Sequence, residues 1–285
     1  MTVLVLGNAT VDRTYAVDRL PVPGETLLAA GRVVEVGGKG LNQAVTAHRA
    51  RAEVRFVAAV GCDAAAGLIL ERLAAEGIST DGLHRVAAPT DESLVLVAAG
   101  TGENAIVSTA AAARALPLPA ALAAMDGLEP GDLVLLQGNL TRELTAAALQ
   151  RARALGLRAL LNPAPVAFDY AGLFELVDVA VLNAVEAASL RPKAAGAVIL
   201  TEGAEGARLV LNGRAVLHEP APPVAAVDTT GAGDVVCGVI AAGLAQGLEL
   251  AAALRWAVAA AALKVTRPGA FAGLPTAQEL ERLRP

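Results

Sequence analysis

The sequence predicts an α/β protein with a doubly wound layout: a mainly parallel sheet flanked by helices, with a small β-sheet lid. Three observations predict it. Short apolar runs alternate with Ala- and Leu-rich helical stretches, two segments break that rhythm with strand-like runs and no helix of useful length, and a Gly-rich string near residue 231 opens an apolar helix. A chain of 285 residues suits one such domain over 1–285, with lid segments at about 13–36 and 92–110.

Val3–Leu6 reads as the first strand, and Thr14–Val36, with turn residues but no helical period, as the first half of the lid. Arg55–Val60 and Ala64–Glu76 then form a strand and a helix. Glu92–Ala110 supplies the second half of the lid, in which Gly102-Glu103-Asn104 fits either a hairpin turn or a ligand contact. The alternation resumes with a strand at Leu133–Gln137, a helix at Arg142–Leu155, and strands at Arg158–Leu161 and Val179–Leu182. Leu190–Ala197 is too brief for a full helix before the next strand. Val198–Thr201, Ala207–Leu211 and Ala215–His218 read as strands joined by Gly-containing turns. A Pro-rich loop, Glu219–Val227, delivers the chain to Asp228, and helices follow over Gly231–Ala245 and Leu250–Thr266.

Composition excludes several function classes. Hydrophobic residues make up 55% and aromatics 2%, so the core is packed from Ala, Val and Leu, and no aromatic surface is available to stack bases. A net charge of −5 without a Lys/Arg cluster removes the footprint of a nucleic-acid binder. Mean hydropathy is positive. The most apolar segment, Ala251–Val265, is nevertheless interrupted by Arg255 and Lys264, and no stretch of about 18 residues could span a membrane. The N-terminus lacks the basic region of a signal peptide, and Cys62 and Cys237 stand far apart without metal spacing, which predicts a reducing cytoplasm. His48, His84 and His218 have no partner at triad or metal-ligand spacing, while Cys237 and Trp256 read as core.

The chemistry is concentrated in Val227-Asp228-Thr229-Thr230-Gly231-Ala232-Gly233-Asp234. Its glycines let successive amides turn toward one point, and the helix start adds partial positive charge, so the string can cradle an anion. Asp234 places a proton acceptor beside that cradle, and phosphoryl transfer needs both. Taken alone, the same residues also fit a plain turn with an acid at a helix N-terminus. A second string, Gly37-Gly38-Lys39-Gly40-Leu41-Asn42-Gln43-Ala44, resembles a Walker A loop, but Gly40 stands where that motif needs Ser or Thr. Beside the other strings it reads as a tight turn presenting backbone, Lys39 and the Asn42 amide to a polyhydroxylated ligand; alone, it reads better as a solvated turn.

Read together, these strings resemble the ribokinase / phosphofructokinase-B (PfkB) family of carbohydrate kinases, nearest its ribokinase branch. The resemblance runs in order through Gly7–Asp12, Leu20–Thr26, Gly37–Ala44, Gly102–Asn104, Asn162-Pro163-Ala164-Pro165, Asn183-x-x-Glu186, Thr201-Glu202-Gly203 and Asp228–Asp234. It implies an ATP-dependent phosphotransferase acting on a hydroxyl of a small sugar, ribose or a related pentose. Asp234 is implied as catalytic base and Gly231, Ala232 and Gly233 as its anion hole. Asp12, Gly38, Lys39 and Asn42 are implied to hold the sugar, Asn183, Thr201, Gly203 and Gly206 to border the nucleotide, and Glu186 to act on Mg2+ through water. Asp228, Thr230, Arg267, Gly269 and Gly273 are implied to form a potassium site. Asp12 is expected at the end of the first strand, where ligands of open α/β sheets lie. Closure of the lid is expected to exclude water.

The chain departs from the family pattern in several places. Asn139 stands where ribokinases carry a sugar-contacting Glu, Ala184 replaces the first acid of an Asn-Glu-x-Glu string, and Thr10 replaces an Asn. Asn139 can still bond hydroxyls, but it leaves open a kinase for another sugar or a nucleoside. A phosphofructokinase would need an additional basic pair near the lid, and a non-catalytic binder would have lost the base or the anion hole. A nicotinamide dehydrogenase would show G-x-G-x-x-G after the first strand, where Gly7-Asn8-Ala9-Thr10 stands instead. The lid strands have edges that could pair two copies into a homodimer.

Overall fold

The computed structural model describes residues 1–98 and 103–285. Gly102 and part of the 92–110 lid segment therefore lie outside the described residues. β1 (Thr2–Leu6) sends Val3 and Val5 into the core on one face of a large sheet and Leu4 and Leu6 into the core on the other. Burial on both faces explains why this run is continuously apolar rather than alternating. The chain then turns at Gly7, which must lack a side chain because its ideal Cβ would lie 2.7 Å from Gly40 Cα. β2 (Thr10–Val17) and β3 (Gly31–Gly37) leave the core as an antiparallel pair, and α1 (Lys39–Arg49) returns to β4 (Glu53–Val60), parallel to β1. α2 (Ala64–Glu76) is capped by Asp63, which accepts from Ala66 N at 3.0 Å, and stops at Gly77 with φ 76°.

After β5 (Leu83–Arg85), the strands β6 (Asp91–Ala98) and β7 (Asn104–Ser108) complete a small sheet of order β3-β2-β6-β7. Short helices α3 (Ala111–Arg114) and α4 (Leu118–Ala123) lead to β8 (Leu133–Gln137), on the opposite side of β1 from β4. α5 (Arg142–Ala154), β9 (Arg158–Asn162), β10 (Val179–Asn183), α6 (Ala184–Leu190) and β11 (Ala197–Thr201) continue the parallel part. β12 (Ala207–Leu211) and β13 (Arg214–Glu219) add an antiparallel edge. The chain ends with α7 (Ala232–Ala245), α8 (Leu250–Lys264) and α9 (Ala277–Leu283).

The large sheet has the order β13-β12-β11-β10-β9-β8-β1-β4-β5. Connections diverge on either side of β1, and the crevice beyond the carboxyl ends of such strands is where open α/β sheets bind ligands. The doubly wound sheet and separate small sheet agree with the sequence-based expectation. One boundary differs. The small sheet begins at Thr10, so Asp12 lies inside β2, opposite Glu35 and Ser93, and not at the end of the first strand. The three helices α3, α4 and α9 were not anticipated, although Thr276 and Glu279 form a capping box that starts α9. The short segment after residue 183 does hold a reduced helix, α6, of 7 residues.

Helix α7 is pressed onto α1. An ideal Cβ at Gly238 would lie 2.6 Å from Thr46 Cβ and 2.8 Å from Gln43 O, and one at Gly243 would lie 2.9 Å from Ala253 Cβ on α8. Small residues thus let three helices approach backbone to backbone, which explains how an alanine-rich sequence fills a core without rings. Gly238→Val is expected to lower unfolding free energy by about 1–3 kcal/mol through overpacking; an unchanged midpoint in chemical denaturation would refute the contact.

Candidate active site

The α1–α7 contact brings the start of each helix to one place. Asp234, in the first turn of α7, is 4% exposed. A buried carboxylate needs donors. Asn42 Nδ2 donates to its Oδ2 at 3.2 Å, Gln43 Nε2 donates to its Oδ1 at 3.0 Å, and the Lys39 ammonium stands 3.8 Å from Oδ1. Gln43 is itself fixed: its Oε1 accepts from Gln137 Nε2 at 2.8 Å, and Nε2 also reaches Asn162 Oδ1 at 3.4 Å. Asn162 Nδ2 in turn donates to the Val181 carbonyl at 2.9 Å. A relay of amides therefore ties the carboxylate to β8, β9 and β10, and only one orientation of each amide satisfies it.

No side chain caps the start of α7, where Gly231 adopts φ 82°. Ala232 N donates to the Thr229 carbonyl at 3.2 Å, no side-chain oxygen meets the other amides of the first turn of this 14-residue helix, and the partial positive charge of the helix end favours an anion there. Gly231 is also held sterically, since its ideal Cβ would approach Ala270 O at 3.0 Å.

Asp12 approaches from the small sheet. Its Oδ1 accepts from Thr10 Oγ1 at 2.8 Å, and its carboxyl packs so closely on Gly37 that an ideal Cβ there would lie 2.1 Å from Oδ2. Burial pushes the Asp12 carboxyl above its usual range, hydrogen bonds from Thr10 and Ser93 pull it back, and the charge of Asp234 raises it further. Gly38, at φ 95°, passes over Thr10 N at 3.0 Å from its ideal Cβ. Asn42 Oδ1 and Asn139 Oδ1 are buried without a partner, and Asn139 follows the carboxyl end of β8. Orphaned acceptors of this kind await a hydroxyl.

The strings implied for the nucleotide meet at the far side of the sheet. Asn183 lies in register with Thr201, and Gly203 (φ 59°) and Gly206 (φ 94°) bracket the turn into β12. An ideal Cβ at Gly206 would lie 2.1 Å from Glu219 O. Asn183 and Glu186 form a capping box, each side chain bonding the other's amide at 2.9 Å, so the sequence spacing already has a local structural purpose. Burial chiefly pushes the Cys237 thiol up, with the charge of Asp234 adding to it and that of Lys39 opposing it.

The implied potassium residues also converge, and a lysine stands among them. Asp228 Oδ1 accepts from Thr230 N, and Oδ2 accepts from Gly269 N, each at 2.8 Å. Lys264 Nζ donates to the Asp228 carbonyl at 2.8 Å and stands 3.9 Å from Oδ2. The Arg267 guanidinium turns away to the Glu279 carboxylate, so Arg267 offers this place only a carbonyl. Burial pulls the Lys264 ammonium below its usual range, against the charges of Asp228 and Asp234. Sequence reading noted Lys264 only as an interruption of an apolar run and gave no role to Gln43, Gln137 or Asn162.

Residues 2–277 match the model of the pfkB family carbohydrate kinases. The chain belongs to that family. It is 33% identical to a ribokinase of Bacillus subtilis over 290 residues, covering 99% of this chain and 98% of the relative. The fold superimposes on a ribokinase of Thermotoga maritima with a TM-score of 0.86 at 30% identity, covering 99% and 98% of the two chains. A ribokinase of Arabidopsis thaliana, solved with ribose and ATP, gives 0.84 at 26% identity, covering 99% and 97%. This carbohydrate kinase therefore uses ATP and a sugar acceptor, and among its described residues no helix is long and apolar enough to cross a membrane.

For the kinase, the raised carboxyl of Asp12 carries a stability consequence. A folded-state pKa above that of the unfolded chain means that ionisation of Asp12 costs folding free energy as pH rises through it. Asp12→Asn should melt higher than the parent at neutral pH, and the difference should vanish toward the pH at which Asp12 is protonated in both states. Melting curves across pH test this, and a variant that melts lower at neutral pH contradicts it.

Proposed function

We propose that this carbohydrate kinase transfers the γ-phosphate of ATP to a hydroxyl of ribose, with Asp234 as catalytic base. One observation carries the reading: a buried carboxylate, held by Asn42 and Gln43, sits in the first turn of a helix that no side chain caps, with the Lys39 ammonium 3.8 Å away. The transferred phosphoryl would rest on the amides of Gly231, Ala232 and Gly233, where developing charge meets fixed dipoles. Asp234 would orient the attacking hydroxyl and take its proton. Lys39, ion-paired to Asp234 at the mouth of the site, is placed to neutralise charge on the transferred group.

Asp12, Gly38, Asn42 and Asn139 would hold the sugar. Asp12 accepts from hydroxyls, and the unpartnered oxygens of Asn42 and Asn139 accept two more, so an amide at position 139 does not disqualify a pentose. The B. subtilis ribokinase relative and the ribose-bound Arabidopsis structure support this choice of acceptor. Asn183, Thr201, Gly203 and Gly206 would border the nucleotide. Among the described residues no group of three or more acids, His or Cys could hold a metal, which fits Mg2+ arriving on the ATP phosphates with its own waters and touched by Glu186 through one of them. Bound Mg2+ would neutralise phosphate charge. The residues around Asp228 do not fit a free potassium ion, so none is included.

The small sheet would act as the lid, keeping water from the phosphoryl group. Thr14, Val33, Val95 and Ile106 continue the Asp12 face of that sheet, and Val33 and Ile106 are exposed. With open edges at β3 and β7, this supports a homodimer joined through the lids.

Ribose-dependent release of ADP from ATP is the expected activity. Asp234→Asn should lower kcat by about 10²–10⁴-fold with ATP and ribose binding retained; undiminished turnover in that variant would dismiss the mechanism. Asp12→Asn should raise KM for ribose about tenfold or more, the scale of a lost hydrogen bond to a charged group, with a smaller change in kcat. An unaltered KM would remove Asp12 from the sugar site.

A further inference from the structure

Lys264 closes α8 with a side chain that is 0% exposed. A buried ammonium is costly unless oxygen acceptors surround it. Here the Asp228 carbonyl accepts from Nζ at 2.8 Å, and the Asp228 carboxylate lies 3.9 Å away. The side chain ends beside Gly273, whose ideal Cβ would lie 3.1 Å from Lys264 Cε, 2.7 Å from Gly269 O and 3.2 Å from Arg267 O. Backbone carbonyls, one carboxylate and a univalent cation therefore meet in one place. Such an oxygen set suits an alkali ion, yet the charge it would supply is already there on a tether, and a second cation would sit beside a like charge.

The position of that charge matters for the phosphate cradle. Val265 O, next to Lys264, accepts from Val227 N at 2.7 Å and from Asp228 N at 3.1 Å, so the end of α8 and the Asp228 loop are stitched together. The loop then runs through Thr230 to Gly231, the residue that opens α7 and is pressed on Ala270 O from the other loop. Whatever cation holds Asp228 to the 267–273 loop also holds the amides that face the anion.

We propose that the Lys264 ammonium is a built-in monovalent cation, fixing the Asp228 loop and the cradle at the start of α7 without any alkali ion. A tethered charge needs no binding from solution, so the site is complete at any salt composition. The activity consequence rests on the phosphoryl-transfer reading above, whereas the folding consequence does not.

The test uses the full chain in potassium, sodium and tetramethylammonium chloride at equal ionic strength, reading melting temperature and ribose phosphorylation by Mg-ATP. The parent chain should melt alike in all three salts and turn over at rates equal within about twofold, since only general screening remains. Lys264→Ala empties the position: in tetramethylammonium it should melt lower and lose about tenfold or more in turnover, as expected for a broken buried pair. Potassium should restore its melting temperature, and its turnover with it, beyond what sodium does. A parent chain that gains several-fold in rate, or melts higher, in potassium than in tetramethylammonium overturns the proposal. So does a Lys264→Ala variant equally impaired in every salt. If that variant does not fold, the parent's salt series decides; if no sugar is phosphorylated, the melting data decide alone and the failure belongs to the kinase reading.

Discussion

The site depends on the close crossing of α1 and α7. Gly238 permits it, and it has a direct chemical result: Asn42 and Gln43, one helical turn into α1, are brought within hydrogen-bond reach of Asp234, one turn into α7. A bulkier contact would separate the carboxylate from the amides that orient it. The same crossing aims both helix starts at the crevice beyond β1, where the sheet connections diverge. Packing of small residues in the core is thus what sets the geometry of the chemistry.

Negative charge accumulates around that crevice. The charge of Asp234 raises the Asp12 carboxyl, and burial followed by the charges of Asp12 and Asp228 holds the Glu35 carboxyl above its usual range, against the pull of Arg72. Two ammonium groups answer it from opposite sides, Lys39 at the mouth and Lys264 in the interior. Lys39 is partly open to solvent and can follow a phosphate, whereas Lys264 is enclosed and can only hold structure. The accumulation carries a folding penalty that a binding site accepts in order to receive hydroxyls and phosphate.

Much of this was legible in the sequence because the signals were local. Short apolar runs and Ala- and Leu-rich stretches located the core strands and helices, and the glycine strings marked the two helix starts that meet at the site. Asp12 was misplaced, since nothing in Gly7-Asn8-Ala9 announced that the chain leaves the core at once and begins the small sheet at Thr10. Helix α9 was overlooked although Thr276-x-x-Glu279 spelled its start. Gln43, Gln137 and Asn162 could not be linked by spacing alone, because their relay crosses three elements. Lys264 looked like an interruption of an apolar helix; only the fold shows that it points at the carbonyl of Asp228.

The central claim is that Asp234 and the start of α7 act on the same transferred group. It is tested most directly by a crystal structure of the chain with ribose, ADP, Mg2+ and aluminium fluoride as the phosphoryl mimic. The account predicts the fluoride on the amides of Gly231, Ala232 and Gly233 and a ribose hydroxyl in hydrogen-bond contact with the Asp234 carboxylate. A mimic bound away from the start of α7, or an Asp234 that touches no sugar hydroxyl, would contradict it.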